Sequence, residues 1–133
     1  MPDSPSAAPP APSELLVACL CADWCRTCDA YRDTLRTVRD DLRADHPAWA
    51  LRFVWIDIEE ESDLIGDLDV ENFPTIVLAR EGNVLFAGPV MPHAGTIERL
   101  VQGAIEGSLG APLEAFPPDV LALPARLDGH AVL

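Results

Sequence analysis

Apolar and polar positions alternate between two periods along the chain. Residues 14–21 (ELLVACLC) form a short, almost unbroken apolar run, which reads as a buried strand. Residues 26–45 then change period. Cys28, Tyr31, Leu35, Val38 and Leu42 recur at steps of three and four, which predicts an amphipathic helix with those side chains inward. His46-Pro47 stops it. A second apolar run at 49–58 predicts a strand, and the acidic stretch 59–72 a short helix and a loop. Residues 74–79 and 84–88 read as strands joined by the turn at 80–83 (REGN). The last clear helical period spans 95–107, with Ile97, Leu100, Val101, Ala104 and Ile105 inward.

The expected order is therefore β-α-β-α-β-β-α. A strand–helix–strand start implies a parallel pair with a right-handed crossover, and the short turn near the end implies a hairpin. Continuous apolar strands call for helices on both sheet faces, so the fold class is α/β. Residues 1–13, rich in Pro, Ala and Ser, read as an extended or disordered tail, 14–107 as the folded domain, and 108–133 as a Pro-rich tail. The second tail is expected to dock through Leu121, Leu123 and Leu127 or to be partly disordered.

Composition narrows the possible partners. Twenty-two acids against nine bases give a net charge of −13, which excludes nucleic acid and anionic membrane surfaces as the main partner. There is no secretory leader and no apolar run long enough to span a bilayer, so a cytoplasmic location is expected. In a reducing cytoplasm structural disulfides are rare, so the cysteines call for another explanation.

All four cysteines, Cys19, Cys21, Cys25 and Cys28, lie within ten residues. Cys25 and Cys28 stand where the first strand hands over to the first helix. There the free N–H groups of the first turn stabilise a thiolate on Cys25, and Arg26 adds a positive charge beside it. A thiolate on Cys25 can attack a disulfide, and Cys28, one turn on, can resolve the mixed disulfide. Cys19 and Cys21 are two apart on a strand and share a face. The plain reading makes both small buried hydrophobes. The sharper reading makes Cys21 a third thiol that protects Cys28 or trades disulfides with it. A bond between Cys19 and Cys21 is disfavoured, because alternate strand residues are poorly aimed at each other. Structural zinc prefers two separated Cys-x-x-Cys pairs, whereas this chain has one. Cys21, Cys25 and Cys28 also match the spacing of a radical-SAM iron–sulfur loop, but that chemistry needs a far longer barrel. No metal and no organic cofactor are expected.

The sequence resembles the thioredoxin family over roughly residues 14–107. ADWCRTC at 22–28, FPT at 73–75 and REGNVLFAG at 80–88 carry the resemblance. It implies a three-layer sandwich with a four-stranded mixed sheet in the order 2-1-3-4, the family's N-terminal β-α unit being absent. It implies that Trp24 shields the active site, that Pro74 is cis and faces the sulfurs, and that Phe73, Thr75 and Gly88 help line the substrate groove. It also implies a monomeric thiol–disulfide oxidoreductase acting on protein disulfides, recharged by an upstream reductase or a small thiol.

The chain departs from the family pattern at three points. Arg26-Thr27 replaces Gly-Pro between the cysteines. The family's buried acid falls on Cys19, and its lysine partner on Trp55, so the proton acceptor is expected to be missing or to be replaced by water or Glu59. The acidic run from Asp57 to Glu71 reads as a solvated face, Trp49, Trp55 and Tyr31 as core, and His93 as a helix-entry residue. A thioredoxin-fold binding or scaffold module with little redox turnover is the alternative function.

Overall fold

The computed structural model describes residues 13–22, 24–66, 70, 72–107 and 116–133. Their order is β1 (Ser13–Cys21), α1 (Arg26–Asp45), β2 (Trp49–Asp57), α2 (Ser62–Ile65), β3 (Thr75–Arg80), β4 (Asn83–Pro89), α3 (Ala94–Glu106) and α4 (Pro118–Arg126). One four-stranded sheet runs β2-β1-β3-β4, as expected. β1 and β2 are parallel, with Cys21 opposite Asp57, and β3 is antiparallel to both β1 and β4.

The hairpin between β3 and β4 turns on Glu81 and Gly82, both at positive φ (51° and 85°). This is the combination a two-residue turn needs to match the twist of its strands. Pairing shifts by one between Leu78 and Ala79, leaving Leu85 as the extra residue of a bulge.

Strand alternation sends the residues of β1 to two separate cores. Leu15, Val17, Cys19 and Cys21 pack with Phe53, with Cys28, Tyr31, Leu35, Val38 and Leu42 of α1, and with Ile97, Val101 and Ala104 of α3. The buried positions of α1 are those its period predicts. Leu16, Ala18 and Leu20 face the other way, against Val54, Ile56, Ile65, Val120, Leu123 and Leu127.

The second core takes in the described part of the C-terminal stretch, the docking alternative of the two expected. The described part of 108–133 carries α4, and Leu123 and Leu127 are fully buried while Leu121 is half-buried. Arg52 donates from one guanidinium nitrogen to the carbonyls of Leu127 and His130. The backbone N–H of Leu133 reaches the carbonyl of Phe53 on the edge strand β2 at 2.8 Å. Gly66 ends α2 at φ 59°, and a Cβ there would lie 2.5 Å from Asp119 Oδ1 of α4. The two helices are that close because Arg126 pairs with Asp119 at 2.9 Å and donates to the Leu64 carbonyl at 3.2 Å.

Trp49 and Trp55, expected in the core, are half-buried on β2. Each ring lies about 5 Å from a guanidinium, that of Arg80 and Arg32 respectively. His93 does enter a helix, as the N-cap of α3. Among the described residues no helix is long and apolar enough to cross a membrane.

Candidate active site

β1 ends at Cys21, and five residues later α1 begins with Cys25 as its N-cap. Cys25 has extended backbone angles (φ −87°, ψ 111°) and is half-buried, and its side chain makes no capping hydrogen bond. Its carbonyl closes the first turn, accepting from the N–H of Cys28 at 3.1 Å and of Asp29 at 3.2 Å. Cys25 thus stands at the positive end of a 20-residue helix, its sulfur uncommitted.

Cys28 begins the buried face of α1 and Cys21 ends the same-side row of β1. Both are 1% exposed. They are joined in a disulfide with Cα atoms 5.9 Å apart, well inside bridging range. Cys25 and Cys19 are free thiols. The partner of Cys28 is therefore Cys21, while Cys25, the expected nucleophile, stays free. The reason is geometric: the inward side chain on the first turn of α1 lies over the last inward residue of β1. Cys21 is thus buried, as the plain reading expects, and also bonded to Cys28.

Cys19 is fully buried, and its Sγ lies 3.7 Å from that of Cys21. They are not bonded to each other, as strand geometry requires. Burial pushes the Cys19 thiol far above its ordinary range, so it is protonated at any physiological pH and is the donor toward the Cys21 sulfur. Tyr31 is core as expected, 1% exposed, with its hydroxyl also driven up by burial and by Cys19.

The expected groove residues come from the turn before α1, from the start of β3 and from β4. The Phe73–Pro74 bond is cis. Phe73 meets Trp24 edge to face, the ring centroids 5.4 Å apart at 85°. That contact draws the loop before β3 onto the residue next to Cys25, while Trp24 stays 67% exposed. Pro74 is buried, and its carbonyl accepts from Val90 at 3.0 Å. The Thr75 hydroxyl donates to the Asn72 carbonyl at 2.6 Å, which fixes the turn before the strand. Gly88, half-buried on β4, pairs with Ile76, and a Cβ there would meet only the Phe86 ring at 3.7 Å, an ordinary contact. Arg26 is exposed on the first turn of α1.

Asp57 corrects the reading of the acidic run as solvated throughout. It is 7% exposed, the buried charged residue among those described, and its Oδ1 accepts from the N–H groups of Glu59 and Glu60 at 2.8 and 3.0 Å. It shares a face of β2 with Phe53 and stands opposite Cys21. The signal was present in the strand: Trp49, Leu51, Phe53, Trp55 and Asp57 share one parity. Glu59, the expected acceptor, is exposed. No group of three or more His, Cys, Asp or Glu among the described residues is arranged to hold a metal ion.

The sequence profile of the thioredoxin family matches residues 10–101. The chain belongs to the thioredoxin family. It is 28% identical over 108 residues to sulfhydryl oxidase 1 of Pongo abelii, a match covering 80% of this chain and 14% of that protein. The chain therefore spans about one seventh of the curated relatives it matches. Among solved structures, mitochondrial thioredoxin 3 of Saccharomyces cerevisiae in its oxidised form is 25% identical at a TM-score of 0.51, covering 69% of this chain and 77% of that one. The zinc-bound form of human ERp44 superimposes at 0.58 with 18% identity over 66% of this chain and 26% of its own, a likeness of fold. A thioredoxin-family fold with a cysteine free beside a disulfide is a site for thiol–disulfide chemistry.

Proposed function

We propose that this protein is a thiol–disulfide oxidoreductase that exchanges disulfides with protein substrates. The observation that carries this reading is the position of Cys25: a free, half-buried thiol at the N-cap of α1, next in sequence to Trp24, whose ring meets Phe73 of the cis Phe73–Pro74 bond. The thiolate of Cys25 attacks one sulfur of a substrate disulfide, and the other leaves as a thiolate. Cys28, as a thiolate, then attacks the Cys25 sulfur, releases the reduced substrate and leaves a Cys25–Cys28 disulfide. An upstream reductase or a small thiol returns both to thiols.

The backbone around Pro74 is suited to hold an extended substrate segment by strand-like pairing. Asp57, on the cysteine face, is the carboxylate suited to take the proton of Cys28, in place of Glu59. The reading is of a cytoplasmic monomer that uses no metal or organic cofactor.

Dithiothreitol-driven insulin reduction tests this. The wild-type protein should be active, and Cys25→Ser should lose at least about a hundredfold, since no other sulfur is placed to meet substrate. Equal rates in the two proteins would refute it. The bond between Cys21 and Cys28 favours a second reading, a binding module, because it withholds the resolving thiol. Negligible turnover in the wild type, with a redox-independent partner retained in a pull-down, would favour that reading.

A further inference from the structure

Resting on the exchange reading above, we propose that Cys21 is a third redox thiol. It replaces Cys25 on Cys28, so the oxidised protein stores its disulfide in the core while Cys25 stays free. Cys28 has a sulfur on either side: Cys25 at the N-cap of its own helix, three residues before it, and Cys21 at the end of β1, to which it is joined. The two sides differ in access. Cys21 and Cys28 are each 1% exposed, whereas Cys25 is half-buried. A thiol in solution meets Cys25 and does not meet the Cys21–Cys28 bond.

The exchange conserves electrons. The Cys21 thiolate attacks the Cys28 sulfur of a Cys25–Cys28 disulfide. The bond to Cys25 breaks and its electron pair stays on Cys25 as a thiolate. Cys21 gives up one proton before attack, Cys25 can take up one afterwards, and no oxidant or reductant is consumed. The reverse step opens the store. Cys25 attacks Cys28 and Cys21 departs as a buried thiolate, a poor place for a charge. Cys19 is placed for this moment, its Sγ 3.7 Å from the departing sulfur and its thiol held protonated by burial. Reduction of the stored disulfide thus passes through Cys25: it moves to Cys25–Cys28 first, and the external thiol then attacks the accessible sulfur.

The test oxidises the wild-type protein with oxidised glutathione, blocks free thiols under native conditions and maps the linkages by non-reducing peptide mass spectrometry. The same protein and Cys25→Ser, which changes a half-buried position and keeps both core cysteines, are then reduced with glutathione. The expected map is a Cys21–Cys28 link with Cys25 as the blocked thiol. Oxidised glutathione is shut out of the core by the same burial, so Cys25→Ser should form the same link only on longer oxidation, and once fully linked should lose it about tenfold or more slowly than wild type, because the route through the accessible sulfur is gone. A map with only Cys25–Cys28 linked and Cys21 free would overturn the store. Equal reduction rates in the two proteins would overturn the exchange even if the link forms. Either failure leaves the oxidoreductase reading standing if Cys25→Ser abolishes insulin reduction, whereas an active Cys25→Ser refutes that reading on its own.

Discussion

Against one face of the sheet lie α1 and α3, and all four cysteines belong to or pack on the core they form with β1. Against the other lie α2 and α4, over a core of Leu, Ile, Val and Ala without sulfur. The first face places thiols at graded depth, from half-buried Cys25 to Cys19 in the interior. The second is closed by contacts between distant parts of the chain: Arg52 to the carbonyls after α4, Arg126 to Asp119 and Leu64, and His130 to Glu61. Chemistry and closure are thus divided between the faces. A change on the second should cost stability and leave exchange per folded molecule intact.

The largest such effect is expected from Leu123→Ala. Leu123 is fully buried between α4 and the sheet, so truncation should cost about 3 kcal/mol by lost transfer energy and a residual cavity. Urea unfolding measures it, and insulin reduction normalised to folded protein should not change. A comparable loss of normalised activity would break the division between the faces.

Gly66→Ala should follow at about 1–2 kcal/mol, since the new methyl meets Asp119 at a position whose positive φ already disfavours a side chain. The same denaturation series reads it, and a neutral result would mean that α4 moves away freely from α2.

The smallest effect is a pH dependence. His130 Nε2 lies 2.8 Å from Glu61, and that hydrogen bond, reinforced by the Ala131 carbonyl, raises the imidazole above its ordinary value. A raised folded value means the contribution is complete below the unfolded value of about 6.5 and fades as pH rises through the folded one. A partly exposed pair of this kind is worth about 0.2–1 kcal/mol. Wild type should therefore lose that much relative to His130→Gln between pH 6 and 8, and parallel stability curves for the two proteins would show the pair to be silent.

The cysteine face was largely legible in the sequence. The three- and four-residue steps of α1 identified its buried side chains one by one, and a family motif marked Cys25 and Pro74. The pairing of Cys21 with Cys28 was visible only as one of two readings, because it depends on how far α1 sits over the end of β1, a tertiary distance. Asp57 was lost to its neighbours: Glu59 and Glu60 made it look like one of a solvated run, although its strand parity turned it inward. On the other face, Val120, Leu123 and Leu127 follow a helical spacing with Pro118 at the first position, a good start signal. Pro124 within the same stretch argued against a helix. Packing of Leu123 and Leu127 outweighed that local penalty, which composition and period alone do not reveal.

On the proposed function Cys25 is the sulfur that meets the substrate, with the other three behind it. Alkylation of the fully reduced, native protein with iodoacetamide near neutral pH, followed by mass spectrometry of each cysteine peptide, tests this most directly. Cys25 should be modified about tenfold or more faster than Cys19, Cys21 or Cys28, as expected for the accessible thiol at a helix N-terminus. Cys19 or Cys21 reacting first, or all four at one rate, would contradict it.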